Sequence, residues 1–278
     1  ILVPSDYMVE RLIKEERIQP VNWDLITNKD NVISNLFENE YDPENKYTVP
    51  YYWGTVGILY NKNIVDKADF AQGWEILKNK KYTGNIYVYD SERDSFMVAL
   101  KALGYSMNTS NHDELKKAYD WLVDQRETMH PVYAGDDVID NMISGNKAMA
   151  VVYSGDGAYI MSENEDMGFY MPETGTNIWS DAMVIPKNAE NPELAYAFID
   201  YVCTYEASMD NSSYVGYTSP NKEVMDELSG EGGDYEGINA YIPRSGNDND
   251  EVFKYDENTR AIIADLWSRV KVVASNAE

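Results

Sequence analysis

Residues 177–185 read Asn177-Ile178-Trp179-Ser180-Asp181-Ala182-Met183-Val184-Ile185, a polar start running into an apolar tail. The apolar tail and the β-branched residues predict a short strand. Side chains on a strand alternate between faces with period two, so Trp179 and Asp181 point the same way. An indole beside a carboxylate can seat an organic cation, the ring through cation–π attraction and the acid through its charge. The plainer alternative is a buried Trp next to a solvated Asp at a strand end.

Working outward, strands alternate with helices. Strands are expected at Ile1–Val3, Thr55–Asn61, Gly84–Tyr89, Ala148–Tyr153 and Phe169–Pro172. Ser5 is placed to cap a helix over Tyr7–Glu16. Asp90 to Asp94 lead into a helix over Ser95–Leu103 that stops at Gly104. Leu115, Ala118, Tyr119 and Leu122 mark an amphipathic helix over Asp113–Arg126. A short helix is expected over Val138–Gly145, and Pro192 sits in the first turn of a helix reaching Val202. This alternation predicts an α/β fold with mixed or mostly parallel sheets. Ser229 to Gly237, rich in Gly and acid, reads as an exposed loop, and Asp248-Asn249-Asp250 as a solvated turn.

The chain has 278 residues, and such a length suggests about two domains. Its hydrophobic fraction of 44% suffices for real cores. No apolar run approaches the length of a membrane span. With 23 Lys and Arg against 48 Asp and Glu, the net charge is −25. Such a chain cannot neutralise phosphates, so nucleic acid is excluded as a partner, and an anionic membrane surface is disfavoured. The lone Cys203 lies in an apolar helical stretch and reads as a small core residue. The opening Ile1-Leu2-Val3 looks like the end of a buried strand, so residues before it are expected in the natural protein.

The usual catalytic constellations are missing from the sequence. His112 and His130 have no metal-ligand spacing, so no metal site is expected. Ser154-Gly155-Asp156-Gly157 has neither nucleophile-elbow nor phosphate-loop spacing. No catalytic residue and no cofactor is expected. Carboxylates and aromatics without an acid–base–nucleophile set point to binding rather than catalysis.

Five segments occur in one order: Val3-Pro4-Ser5-Asp6-Tyr7, Val49-Pro50-Tyr51-Tyr52-Trp53-Gly54-Thr55, Asp90-Ser91-Glu92-Arg93-Asp94-Ser95-Phe96, Trp179 to Pro186, and Gly216-Tyr217-Thr218-Ser219-Pro220-Asn221. Together the chain resembles the spermidine/putrescine-binding proteins of bacterial ABC importers, from residue 1 to about 225. The resemblance implies a two-lobed, type II periplasmic-binding-protein fold with the ligand in a cleft between lobes. It implies a first lobe of 1–55 plus 182–222 and a second of 56–178 plus 223–278, with crossings near 55, 180 and 222. It further implies an extracytoplasmic monomer, lipid-anchored or fused to its permease, that delivers a polyamine to ABC permease subunits.

Position by position, the resemblance carries over Ser5, Tyr7, Asp94, Tyr153, Trp179, Asp181 and Tyr217 as ligand-binding residues. Tyr153 stands where family members often carry Trp. Ser91 stands where some relatives carry a further acid, and Asp90 or Glu92 are the other candidates for that charge. The family's aromatic pair near its first strand falls before Ile1. Tyr7, Tyr153, Trp179 and Tyr217 would line the ligand's methylenes. Asp181 and Asp94 would each pair with an ammonium, Ser5 would accept from one, and the lobes would close on the ligand. Two other readings stand: the same fold binding another cationic or metal-complex ligand, or an α/β hydrolase using Asp90, Glu92 and Asp94. These acids lie within five residues of one another, whereas a glycosidase pair flanks its substrate.

Overall fold

The computed structural model describes residues 1–273. The chain forms two compact units, one of Ile1–Gly54, Ile178–Pro243 and Val252–Tyr255, the other of Thr55–Asn177, Arg244–Glu251 and residues 256 onward. In chain order the helices are α1 (Asp6–Lys14), α2 (Glu92–Ala102), α3 (His112–Met129), α4 (Val138–Ile143), α5 (Ser154–Glu163), α6 (Pro192–Val202), α7 (Tyr205–Val215), α8 (Lys222–Ser229) and α9 (Glu257–Val273). The strands are β1 (Val49–Asn61), β2 (Ile86–Tyr89), β3 (Val132–Ala134), β4 (Met149–Tyr153), β5 (Met167–Tyr170) and β6 (Ile178–Met183). β1 carries the chain from the first unit into the second. It starts earlier than its β-branched run suggested, because Val49 to Gly54 pair as well.

In the first unit, β6 and the residues after it are buried on both faces. Met183 and Ile185 join Ile26, Val49, Tyr196 and Ile199 in one core, while Ala182 and Val184 pack with Val9 of α1 and Ile18 in another. This is the period-two alternation of a strand covered by a layer on each side. The opening segment pairs along it: Leu2 exchanges two backbone hydrogen bonds with Val184, both 2.9 Å. Ile1, Leu2 and Val3 nevertheless stay exposed, contrary to the buried strand end expected of them, because this pairing lies outside both cores.

Residues 223–243 belong to this first unit, where a second-lobe assignment was expected. α8 packs on α7. Tyr235, placed by the sequence in an exposed loop, is buried and stacks on Tyr241 at 4.6 Å. The Tyr241 carbonyl in turn accepts from the Thr218 hydroxyl. The aromatic pair therefore fixes a segment whose composition looked solvated.

In the second unit the sheet order is β3-β2-β4-β1-β5. β2 runs parallel to β3 and β4, and β1 is antiparallel to β4 and β5. β2, β3 and β4 thus end on the same edge of the sheet. α2 and α5 start there, directly after β2 and β4. Gly57 of β1 is required by the Phe169 ring of β5, because a Cβ would lie 2.3 Å from Cζ.

Asp250 lies in no solvated turn: its side chain is 1% exposed. Arg244 holds it through Nε at 2.8 Å and a second nitrogen at 2.6 Å, and gives its remaining donors to the carbonyls of Met171 and Pro172. The Thr176 amide donates to the same carboxylate at 2.9 Å. Buried Lys101 adds a bond to the Asn249 carbonyl and an ion pair with Glu251. A charge removed from water must be paired, and this set fastens 244–251 to the second unit.

Candidate functional site

In the first unit, candidate residues lie on β6. Trp179 is buried and Asp181 half-buried, on the same strand face. Ser5 forms an antiparallel bridge with Asp181. Ser5 occupies the N-cap position of α1, yet its side chain makes no capping bond. Its backbone bridge sets it beside Asp181, whose carboxyl pKa it lowers slightly. The sequence suggested that this serine could both cap the helix and face a ligand; its side chain does not make the cap. Tyr7, half-buried, lies in the first turn of α1.

Aromatic rings gather around Trp179, two positions before this acid. Tyr217 follows Gly216, whose left-handed φ of 78° ends α7. The Trp179 and Tyr217 rings are 5.4 Å apart and tilted. Tyr52 stands edge-on to Tyr217 at 5.6 Å and lies 4.1 Å from Tyr51. Neither Tyr51 nor Tyr52 was singled out as a site residue. Their signal was present in the aromatic run before Gly54, but strand alternation alone does not tell which ring faces a ligand. On the other face of β6, Ser180 hydrogen-bonds Tyr41 at 2.9 Å. Burial, then the charges of Asp6, Asp42 and Asp181, push the Tyr41 hydroxyl up to about 12, the Ser180 bond opposing them.

Burial raises the Asp181 pKa, against a smaller lowering by Ser5. Among the described residues, no Lys or Arg forms an ion pair with it. A partly desolvated carboxylate with a hydroxyl and an indole, but no cation, is a place that an exogenous cation would stabilise.

In the second unit, a separate group of candidate residues lies at the common strand edge. Ser91 caps α2, its oxygen accepting from the Asp94 amide at 3.4 Å and donating to Asp94 Oδ2 at 2.6 Å. The Ser-x-x-Asp spacing is that of a capping box. α2 therefore begins at Glu92, earlier than the Ser95 expected, and Ser91 acts as its cap. From the end of β4, Tyr153 donates to the same Oδ2 at 2.8 Å. Tyr153 is stacked on Tyr89 at 4.9 Å, and Tyr89 donates to Asp156 in the first turn of α5.

Asp94 is only 1% exposed, while Ser91 and Tyr153 are half-buried. Asp94 Oδ1 makes no hydrogen bond within the protein, and the side chain borders a cavity beside Tyr133 with room for about one water, about 10 Å³. Asp94 is thus a buried acid whose outward members are two hydroxyls. Asp90 is taken by Lys271 of α9 at 2.8 Å, and Glu92 is half-buried in the first turn of α2. The three acids that suggested a hydrolase therefore do not form an open pair. Among the described residues, no group of three or more His, Cys, Asp or Glu is disposed to hold a metal, and no helix is long and apolar enough to cross a membrane.

The sequence pattern of the bacterial extracellular solute-binding proteins matches residues 1–236. The chain belongs to this family. It is a family of binding proteins rather than of enzymes. Among these solute-binding proteins, the spermidine/putrescine-binding periplasmic protein of Escherichia coli is 29% identical over 233 residues, 83% of this chain and 66% of that protein. The chain thus spans just under two thirds of the curated relatives it matches. The solved substrate-binding protein of a spermidine/putrescine ABC transporter from Streptococcus pneumoniae is 31% identical, with a TM-score of 0.82, covering 97% of this chain and 82% of that one. A related structure from Listeria monocytogenes is 30% identical with a TM-score of 0.86, at the same coverage. The two-lobed periplasmic-binding-protein fold of these solute-binding proteins is the fold of this chain.

Proposed function

We propose that this chain captures a polyamine, spermidine or putrescine, outside the cytoplasm and delivers it to the membrane permease of an ABC importer. The observation that carries the reading is Asp181: a half-buried carboxylate without a Lys or Arg ion pair among the described residues, on the same strand face as Trp179, with Ser5 bridged to it through the backbone. An ammonium would supply the missing charge, and the rings of Trp179, Tyr217 and Tyr7 would cover methylenes. In the second unit, Tyr153 and Ser91, backed by Asp94, offer hydroxyls that an ammonium could also meet. The amines for which the similar proteins are named support the amine class. We further propose that the protein acts by binding, without catalysis, as a monomer on the outer face of the cell membrane, anchored by lipid or fused to its permease.

Thermal unfolding with putrescine, spermidine, sugars and metal salts tests this. A ligand that binds the folded form at a hundred times its Kd stabilises it by about 2.7 kcal/mol. Stabilisation by amines alone is expected. Stabilisation by sugars or metal salts, with none by amines, would overturn the reading.

A further inference from the structure

Two polar atoms of the second unit, Asp94 Oδ1 and the Tyr133 hydroxyl oxygen, are buried without a hydrogen bond to the protein. Both residues border one cavity of about 10 Å³, with Val88, Val98, Leu122 and Gln125 among its other walls. That volume is the room one water needs. Cavities that stay dry are apolar, whereas a buried carboxylate oxygen left without a donor is costly. The other oxygen of the acid, Asp94 Oδ2, is already taken by the hydroxyls of Ser91 and Tyr153. Gln125 of α3 gives one amide hydrogen to the Leu77 carbonyl at 3.4 Å and keeps a second. Burial, opposed by the neighbouring Arg126, raises the pKa of the Tyr133 hydroxyl, so it holds its proton. Arginine has donors only, so that proton is left for another acceptor.

We infer that this cavity is a site for one internal water, which donates to Asp94 Oδ1 and accepts from the Tyr133 hydroxyl. A metal ion fits it poorly, because aliphatic side chains make up most of the wall and a buried charge needs more polar partners than these. A bridging water costs little to hold and serves nearly as well as a direct bond. The bridge gives Asp94 a third element to hold. Ser91 caps α2, Tyr153 ends β4, and Tyr133 lies on the edge strand β3, opposite Val88 of β2. β3 has only three residues, so a side-chain link adds materially to its short backbone ladder. Tyr133 is thus a positioning residue, acting on the Ser91 and Tyr153 hydroxyls through the water and Asp94. All of these groups belong to the second unit, so the site holds whatever ligand the protein takes.

Crystal structures of the parent chain and of Tyr133→Phe, with oxygen-17 relaxation dispersion of both in solution, test this. In the parent, one electron-density peak is expected in the cavity, about 2.5–3.0 Å from both oxygens. In Tyr133→Phe the peak should weaken or vanish, and the dispersion should report one long-lived water fewer. A merely structural role for the Tyr133 hydroxyl would change stability and leave the water count as it was. An empty cavity in the parent, a peak that meets only one of the two oxygens, or a water count that Tyr133→Phe leaves unchanged overturns the inference. So does a peak that scatters anomalously in crystals soaked in rubidium chloride, which marks a cation. Should Tyr133→Phe fail to fold, the parent crystal alone decides the matter.

Discussion

The Tyr153 hydroxyl donates to Asp94 Oδ2 at 2.8 Å, joining the end of one strand to the first turn of the helix that follows another. Ser91 donates to the same oxygen at 2.6 Å. The carboxylate is buried, so each hydroxyl helps to satisfy the acid. Tyr153→Phe should cost about 1.5–3 kcal/mol of stability, the range for a hydrogen bond to a charged group. Urea unfolding of Tyr153→Phe, Asp94→Asn and the double variant should show a coupling of about 0.5–3 kcal/mol. Additive effects would mean that the contact does not order the edge.

Asp181→Asn should separate binding from stability. The ligand's ammonium would lose its counter-charge, which costs about 3–5 kcal/mol for a desolvated pair, or at least about a hundredfold in affinity. The unliganded chain should be as stable as the parent or more so, because a carboxylate whose ionisation burial opposes has gone. Calorimetry and thermal unfolding on the same samples check both halves. Undiminished amine affinity would remove Asp181 from the site.

The raised pKa of Asp181 also sets a pH dependence. Its protonated form is favoured in the fold, so its contribution to stability is full below the unfolded pKa and is lost as pH rises through the higher folded one. Binding runs the other way, because an ammonium needs the ionised acid. Amine affinity should therefore fall on acidification, starting above the ordinary aspartate range, with proton release on binding there. Titrations in buffers of different ionisation enthalpy read that release, and Asp181→Asn should abolish it.

Arg244→Met leaves Asp250 buried without its guanidinium, and should destabilise the second unit by about 3–5 kcal/mol. Combining it with Asp250→Leu should recover much of the loss, because neither charge is then stranded. Denaturant midpoints of the single and double variants decide this.

Strand β6 and its two-sided burial were legible in the residues themselves, because alternation and an apolar run suffice to write a strand. The candidate residues were named chiefly through resemblance: nothing local to Ser5 says that its backbone bridges to Asp181, far along the chain. Ser91 was readable in principle, since Ser-x-x-Asp ahead of an apolar run is a cap signal, but its neighbouring acids drew the reading toward charge. Asp250 and Tyr235 were misread for one reason. Both sit in polar, Gly- or Asn-rich stretches, and their burial is imposed by partners distant in the chain, Arg244 with Thr176 for one and the ring of Tyr241 for the other. Composition reports the average of a segment, whereas burial belongs to single side chains.

Cys203 is the one thiol of the chain, 4% exposed, with burial pushing its pKa up to about 12. Alkylating dyes react with thiolate, so in the folded protein this sulfur is chemically silent near neutral pH. A cysteine introduced at an outlying position, such as Tyr214→Cys on a side chain 83% exposed, would then be the one site that takes a fluorophore. Residues 1–278 thus already have the background needed for a single-label optical sensor of amine uptake, with no core residue sacrificed to obtain it.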